Sequence, residues 1–151
     1  MKRLAISAVL LASVSASASA QELWQGDVFV TAANATCGQI GISENDFFRA
    51  VFRPRDVGAN DADTRLALFG PRNAYRVIIN NGALSGSGQY DGQAIFGTAG
   101  FASWTGNFAI ATTTPASPTP TTKTVAIRVQ LRSFGDVACT MTIAGSLSNR
   151  P

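Results

Sequence analysis

The stretch TVAIRVQLRSFGDVACTMTIAGSL, residues 124–147, decides the fold. In its first eight residues Val125, Ile127, Val129 and Leu131 fall on one side of an extended chain, and Thr124, Ala126, Arg128 and Gln130 on the other. From residue 137 the pattern resumes: Val137, Cys139, Met141, Ile143 and Leu147 share one side, with Thr140, Thr142 and Ser146 opposite. A period of two is the strand's own, and an apolar side facing a polar one marks a strand half-buried against a core. Gly135-Asp136 lies between the two runs and supplies the turn. The stretch therefore predicts an antiparallel hairpin with one dry face.

The same pattern recurs upstream, and helical periodicity is almost absent after Gln21. DFFRAVFRP (46–54) places Phe48, Ala50 and Phe52 inward and Arg49 and Arg53 outward; AYRVIIN (74–80) groups Tyr75, Val77 and Ile79 against Arg76. Asn81-Gly82 and Asp91-Gly92 read as two-residue hairpin turns, because both residues tolerate positive φ. GPRN (70–73) reads as a further tight turn. Strands are expected at 22–32, 46–53, 64–69, 74–80, 83–90, 93–111, 123–133 and 137–147, with a possible break in the long sixth at GTAG (97–100).

Cys37 and Cys139 are the only cysteines. Cys37 falls just past the first expected strand and Cys139 at the start of the last. If those strands are antiparallel neighbours, the two thiols sit side by side and the meander closes on itself, which removes its open edges. Closure with antiparallel first and last strands requires an even strand count, and eight satisfies it. The expected fold is an all-β antiparallel meander closed into an eight-stranded barrel and stapled by a Cys37–Cys139 disulfide. A two-sheet β-sandwich carrying the same bridge is the alternative. The bridge closes a loop of about 100 residues, worth about 4–5 kcal/mol in the chain-entropy model.

LWQGDVFV (23–30) and SWTGNFAI (103–110) hold the chain's two tryptophans in matching Trp-x-Gly contexts. Trp24, Gly26, Val28 and Val30 are expected to share a face, as are Trp104, Gly106, Phe108 and Ile110. A glycine two residues from an indole leaves room for a large ring or a sharp bend. Gly86 and Gly88 offer more such room beside Leu84 and Tyr90. With the two strands running oppositely, the tryptophans are expected to plug opposite ends of the barrel as core residues, without repeat ancestry.

The ends and the composition bound the function. MKR, the apolar LAISAVLLASV and the small-residue ASA at 18–20 predict a cleaved secretory leader over 1–20, bacterial in style, and a single β domain over 21–151. The apolar run is too short to span a bilayer. The expected location is secreted or periplasmic, where a disulfide persists. Without Lys2 and Arg3 the remaining chain carries ten basic and nine acidic residues, a net charge of +1. That balance gives no basic footprint for nucleic acid. The strand pattern, with Arg-bearing outer faces, also speaks against a membrane-spanning barrel.

The chain contains no histidine. The usual neutral-pH base and metal ligand are therefore missing, and Ser-His-Asp and Cys-His arrangements are ruled out. No phosphate-binding glycine loop is present, and no cofactor or metal is expected. Asp56, Asn60, Asp61 and Asp63 in DVGANDADTR (56–65) lack the spacing of a calcium loop and read as turn residues. The acids give no pair with a reason for divergent pKa values, so no catalysis is expected. Arg49, Arg53, Arg55, Arg76, Arg128 and Arg132 read as solubilising outer residues, and ATTTPASPTPTTKT (111–124) as a stiff exposed loop.

An exported meander barrel with an early tryptophan resembles the calycin group: lipocalins, avidins and certain bacterial metalloprotease inhibitors. Trp24-Gln25-Gly26 departs from the Gly-x-Trp order of those families. The resemblance is architectural, and fold does not carry function. It leaves two expectations. In the first, the barrel binds a small apolar ligand in a cavity lined by Phe48, Phe52, Tyr75, Trp104 and Phe108. In the second, the interior is packed solid and the loops bind a protein partner, as an inhibitor or envelope factor would.

Overall fold

A computed structural model of the protein describes residues 23–55, 62–96 and 103–149. The expected leader, the first six residues of DVGANDADTR with Asp56, Asn60 and Asp61, and the GTAG segment lie outside the described residues. Eight strands follow one another: β1 (Trp24–Ala33), β2 (Phe47–Arg53), β3 (Thr64–Phe69), β4 (Ala74–Ile79), β5 (Gly86–Phe96), β6 (Ser103–Thr114), β7 (Thr124–Phe134) and β8 (Cys139–Asn149). Each pairs antiparallel with the next, and β8 pairs with β1, so the meander is a closed barrel. The sandwich alternative is excluded.

Alternation explains the layering. Val125, Ile127, Val129 and Leu131 of β7 are buried, as are Cys139, Met141, Ile143 and Leu147 of β8. Across the seam Val28 lies opposite Gly145, and Gly26 opposite Leu147. A methyl group built on either glycine would run into the facing backbone, so these two positions let β1 and β8 approach. The disulfide joins Cys37 to Cys139 with Cα atoms 4.5 Å apart, at the end of that seam. Cys37 sits in a 3-10 turn, Ala35–Ile40, directly after β1. Asn34 knits the same corner: its backbone N–H donates to the Thr140 carbonyl, its Oδ1 accepts from the Thr140 N–H, and its Nδ2 donates to the Ala138 carbonyl.

Four expectations need correction. Asp91-Gly92 is not a turn; both residues lie inside β5. Gly92 faces Trp104 across the ladder, and a Cβ there would overlap the indole, so this glycine serves packing and not chain reversal. The expected strand 93–111 is two strands, β5 ending at Phe96 and β6 starting at Ser103. The count of eight survives because one expected turn disappears as another break appears. Residues 83–85 belong to the β4–β5 connection, which begins at Asn81-Gly82 with Asn81 at φ 49°. Finally, Ile110 does not share the inner face of Trp104, Gly106 and Phe108. The register shifts between Phe108 and Ile110, leaving Ile110 exposed and Ala111 buried.

Candidate functional site

The barrel has two ends, and its aromatic residues sort between them. At the end that carries the disulfide, Tyr75, Trp104 and Phe134 pack edge to face, with ring centroids 4.9 Å apart for Tyr75–Phe134 and 5.2 Å for Trp104–Phe134. Phe48 joins the cluster through Tyr75 at 6.3 Å. Three of the five expected cavity-lining residues therefore touch one another in one cluster. Phe108 is buried further along β6, opposite Gly88. Phe52 is buried towards the other end, where Trp24 donates its indole N–H to the Thr122 carbonyl. The tryptophans do occupy opposite ends. Thr122 belongs to the Pro-Thr loop, which Asn149 also holds by donating to Pro120 and Lys123 carbonyls.

Sequence reading missed the interlock between β5 and β6. β5 supplies Gly88, Tyr90 and Gly92; β6 supplies Phe108, Gly106 and Trp104 opposite them. Each glycine faces an aromatic ring on the neighbouring strand, and each ring occupies the space a side chain would take. Tyr90 donates its hydroxyl to the Arg132 carbonyl at 3.0 Å. Burial pushes the Tyr90 phenol up to about 12, partly offset by the Trp104 N–H beside it. Burial raises Tyr75 likewise, against a lowering contact from Asn73. Both phenols are neutral at physiological pH.

Crevices open at the surface among the described residues. The first, of about 270 Å³, lies at the disulfide end between residues 41–46 and the β3–β4 turn. Ile42, Ser43, Asp46 and Phe47 form one wall, and Gly70, Pro71, Arg72 and Asn73 the other. The walls are tied together from below: buried Asn73 donates Nδ2 to the Ile40 carbonyl at 3.1 Å, and Gly70 closes its turn on the Asn73 carbonyl at 2.8 Å. The Ser43 N–H donates to Asp46 Oδ2 at 2.6 Å, which fixes that carboxylate on its wall. A smaller crevice of about 100 Å³ at the other end has Phe52 at its base, beside Arg55, Thr64 and Pro118. A shallow polar depression lies over Asp91, Gln93, Ser103 and Thr105.

The outer wall carries charged side chains on several strands, while β6 and β8 carry none. Asp27, Arg76, Arg128 and Arg132 are exposed, and Arg49 pairs with Asp27 at 3.3 Å. Against that background three outward rings stand out: Phe29 at 53% exposure, Phe47 at 54% and Phe69 at 38%. Phe29 and Phe47 are direct cross-strand partners. Their parity was legible, since each alternates with buried neighbours, but the inward rings drew the reading. Among the described residues no His/Cys/Asp/Glu group could hold a metal, and no helix is long and apolar enough to cross a membrane.

These features define a closed, disulfide-stapled β-barrel with a surface groove at its stapled end. No family model, no curated protein and no solved structure matches the chain.

Proposed function

We propose that this chain is a non-catalytic, exported binding protein that works from the outside of a solid barrel, seating a segment of a protein partner in the groove between residues 41–46 and 70–73. The observation that carries this reading is the groove itself. It has an exposed ring in Phe47, a rigid Pro71, and one charge of each sign on opposite walls, Asp46 and Arg72. Its 270 Å³ falls just below the ~300–1,000 Å³ of small-molecule pockets and suits one inserted side chain with its flanking backbone.

Other features support the same reading. The expected cavity aromatics Phe48, Tyr75 and Trp104 spend their surface on each other and on Phe134. A core of apolar side chains with charges outside is the inverse of a lipid-facing barrel. A chain without histidine, whose buried phenols stay protonated, lacks an obvious proton-transfer group near neutrality. A leader-like first segment and a buried disulfide suit an exported protein.

Site-directed photo-crosslinking in the producing cell tests this. The photoreactive residue p-benzoylphenylalanine at position 43, on the groove wall, is expected to capture a discrete protein, and at position 128, on the barrel wall, to capture none. Adding Asp46→Lys is expected to abolish the capture. Equal capture from both positions, or none from position 43, contradicts the reading. A band at twice the chain's own mass reports self-association and does not support it.

A further inference from the structure

We propose that two copies of this chain pair through the outer faces of β1 and β2. Four outward residues make the contact, arranged in two neighbouring rows: Phe29 opposite Phe47, and Asp27 opposite Arg49. The rows extend sideways onto adjacent strands. Ser146 of β8 flanks Asp27, and Phe69 of β3 flanks Arg49; Ala144 of β8 flanks Phe29. The first row therefore reads Ser146, Asp27, Arg49, Phe69, and the second Ala144, Phe29, Phe47.

This pattern is complementary to itself. A two-fold axis parallel to the strands, midway between β1 and β2, lays β1 of one copy over β2 of the other without changing the height of any row. Phe29 then meets Phe47 of the second copy, and Asp27 meets Arg49. The two Asp27–Arg49 pairs become an alternating square of charges, so the polar row costs little desolvation without compensation. An isologous dimer needs such a self-complementary patch. Its ingredients are accessible: besides the exposed rings, the Arg49 and Asp27 side chains are 43% and 55% exposed. Exposed rings clustered on the neighbouring strands β1, β2 and β3 are what a contact surface requires and a solitary barrel does not.

The pairing goes beyond the groove proposed above; the two share Phe47, whereas Asp27 and Arg49 lie outside the groove and Asp46 and Arg72 outside the paired rows, so the charge variants at 27 and 49 test the pairing alone. Sedimentation velocity on the purified exported chain tests it, over about 1–100 µM, the range where modest interfaces dissociate. The native chain is expected to sediment as a dimer that dissociates on dilution. Phe29→Ser/Phe47→Ser is expected to be monomeric throughout, with unchanged near-UV circular dichroism. Asp27→Arg is expected to weaken pairing at least ~10-fold by setting like charges against each other. Asp27→Arg/Arg49→Asp restores opposite charges in both positions and is expected to bring it back. A native chain monomeric at every concentration overturns the proposal. So does a dimer indifferent to the two serines, or a charge-swapped chain as weak as Asp27→Arg alone. Should the serine variant fail to fold, the charge swap decides by itself.

Discussion

Gly106→Ala should be among the most damaging single-methyl additions in the barrel. The new Cβ would lie 2.6 Å from the Arg132 carbonyl oxygen, and still closer to the Tyr90 ring and hydroxyl. The carbonyl belongs to the paired strand β7 and cannot swing aside as a side-chain tip can. Relief requires Tyr90 to leave its place or β6 to draw away from β7. Overpacking of this kind costs about 1–3 kcal/mol. Displacing Tyr90 also breaks its hydrogen bond to the Arg132 carbonyl, a further ~1 kcal/mol. The expected loss is about 2–4 kcal/mol, read from urea unfolding followed by tryptophan fluorescence. Gly88→Ala is the control. It meets only the far edge of the Phe108 ring, at 2.7 Å, and that ring can tilt. Its expected cost is about 1 kcal/mol or less. In a Tyr90→Leu background Gly106→Ala should cost at least ~1 kcal/mol less than in the native chain, because part of the obstruction is gone. A Gly106→Ala variant within about 0.5 kcal/mol of the native chain, or an equal penalty in both backgrounds, would refute the interlock.

Other expectations follow from the seam and the buried phenols. Cys37→Ala/Cys139→Ala should stay folded, because Asn34 still bridges β1 to β8, but should lose about 4–5 kcal/mol from the freed loop. Its urea slope should rise as the unfolded chain expands, and an unchanged slope with a loss below about 1 kcal/mol would contradict this. Asn34→Ala removes three side-chain contacts at the same corner and should cost about 1–3 kcal/mol, measured the same way. Tyr90 ionises at about 12 in the fold against 10.0 in the unfolded chain. The unfolded chain thus gives up its proton first. Stability from this group is complete below pH 10 and is lost as pH climbs towards 12, by about 3 kcal/mol in all. Urea midpoints between pH 9 and 11 should fall less steeply for Tyr90→Phe than for the native chain; parallel slopes would count against the burial of this hydroxyl.

Much of the fold was legible because burial imposes the strand period wherever one face is dry. Residues 124–131 and 137–147 show the alternation on either side of a turn, and the structure keeps every one of their expected inward residues buried or packed against the core. The two cysteines were legible for the same reason: a closed meander brings the ends of its first and last strands together. Asp91-Gly92 misled because local turn chemistry and cross-strand packing ask for the same residue. The glycine that permits positive φ is also the glycine that makes room for Trp104, and only the ladder tells which need it serves. Ile110 misled because a bulge changes parity without leaving a mark in the residue types. The groove was not legible at all. Its walls are residues 41–46 and 70–73, thirty positions apart, joined by an Asn73–Ile40 hydrogen bond that no periodicity encodes.

The central claim is that the barrel is filled by its own side chains and binds from outside. Native mass spectrometry of the chain purified from the cells that produce it, compared with its denatured mass, tests this most directly. The account predicts a native mass that is a whole multiple of the polypeptide mass, alone or with a protein partner, and a denatured chain two hydrogens lighter than its reduced form. A small-molecule surplus carried by the native chain and shed on denaturation would contradict it and return the interior aromatics to the role of a ligand's lining.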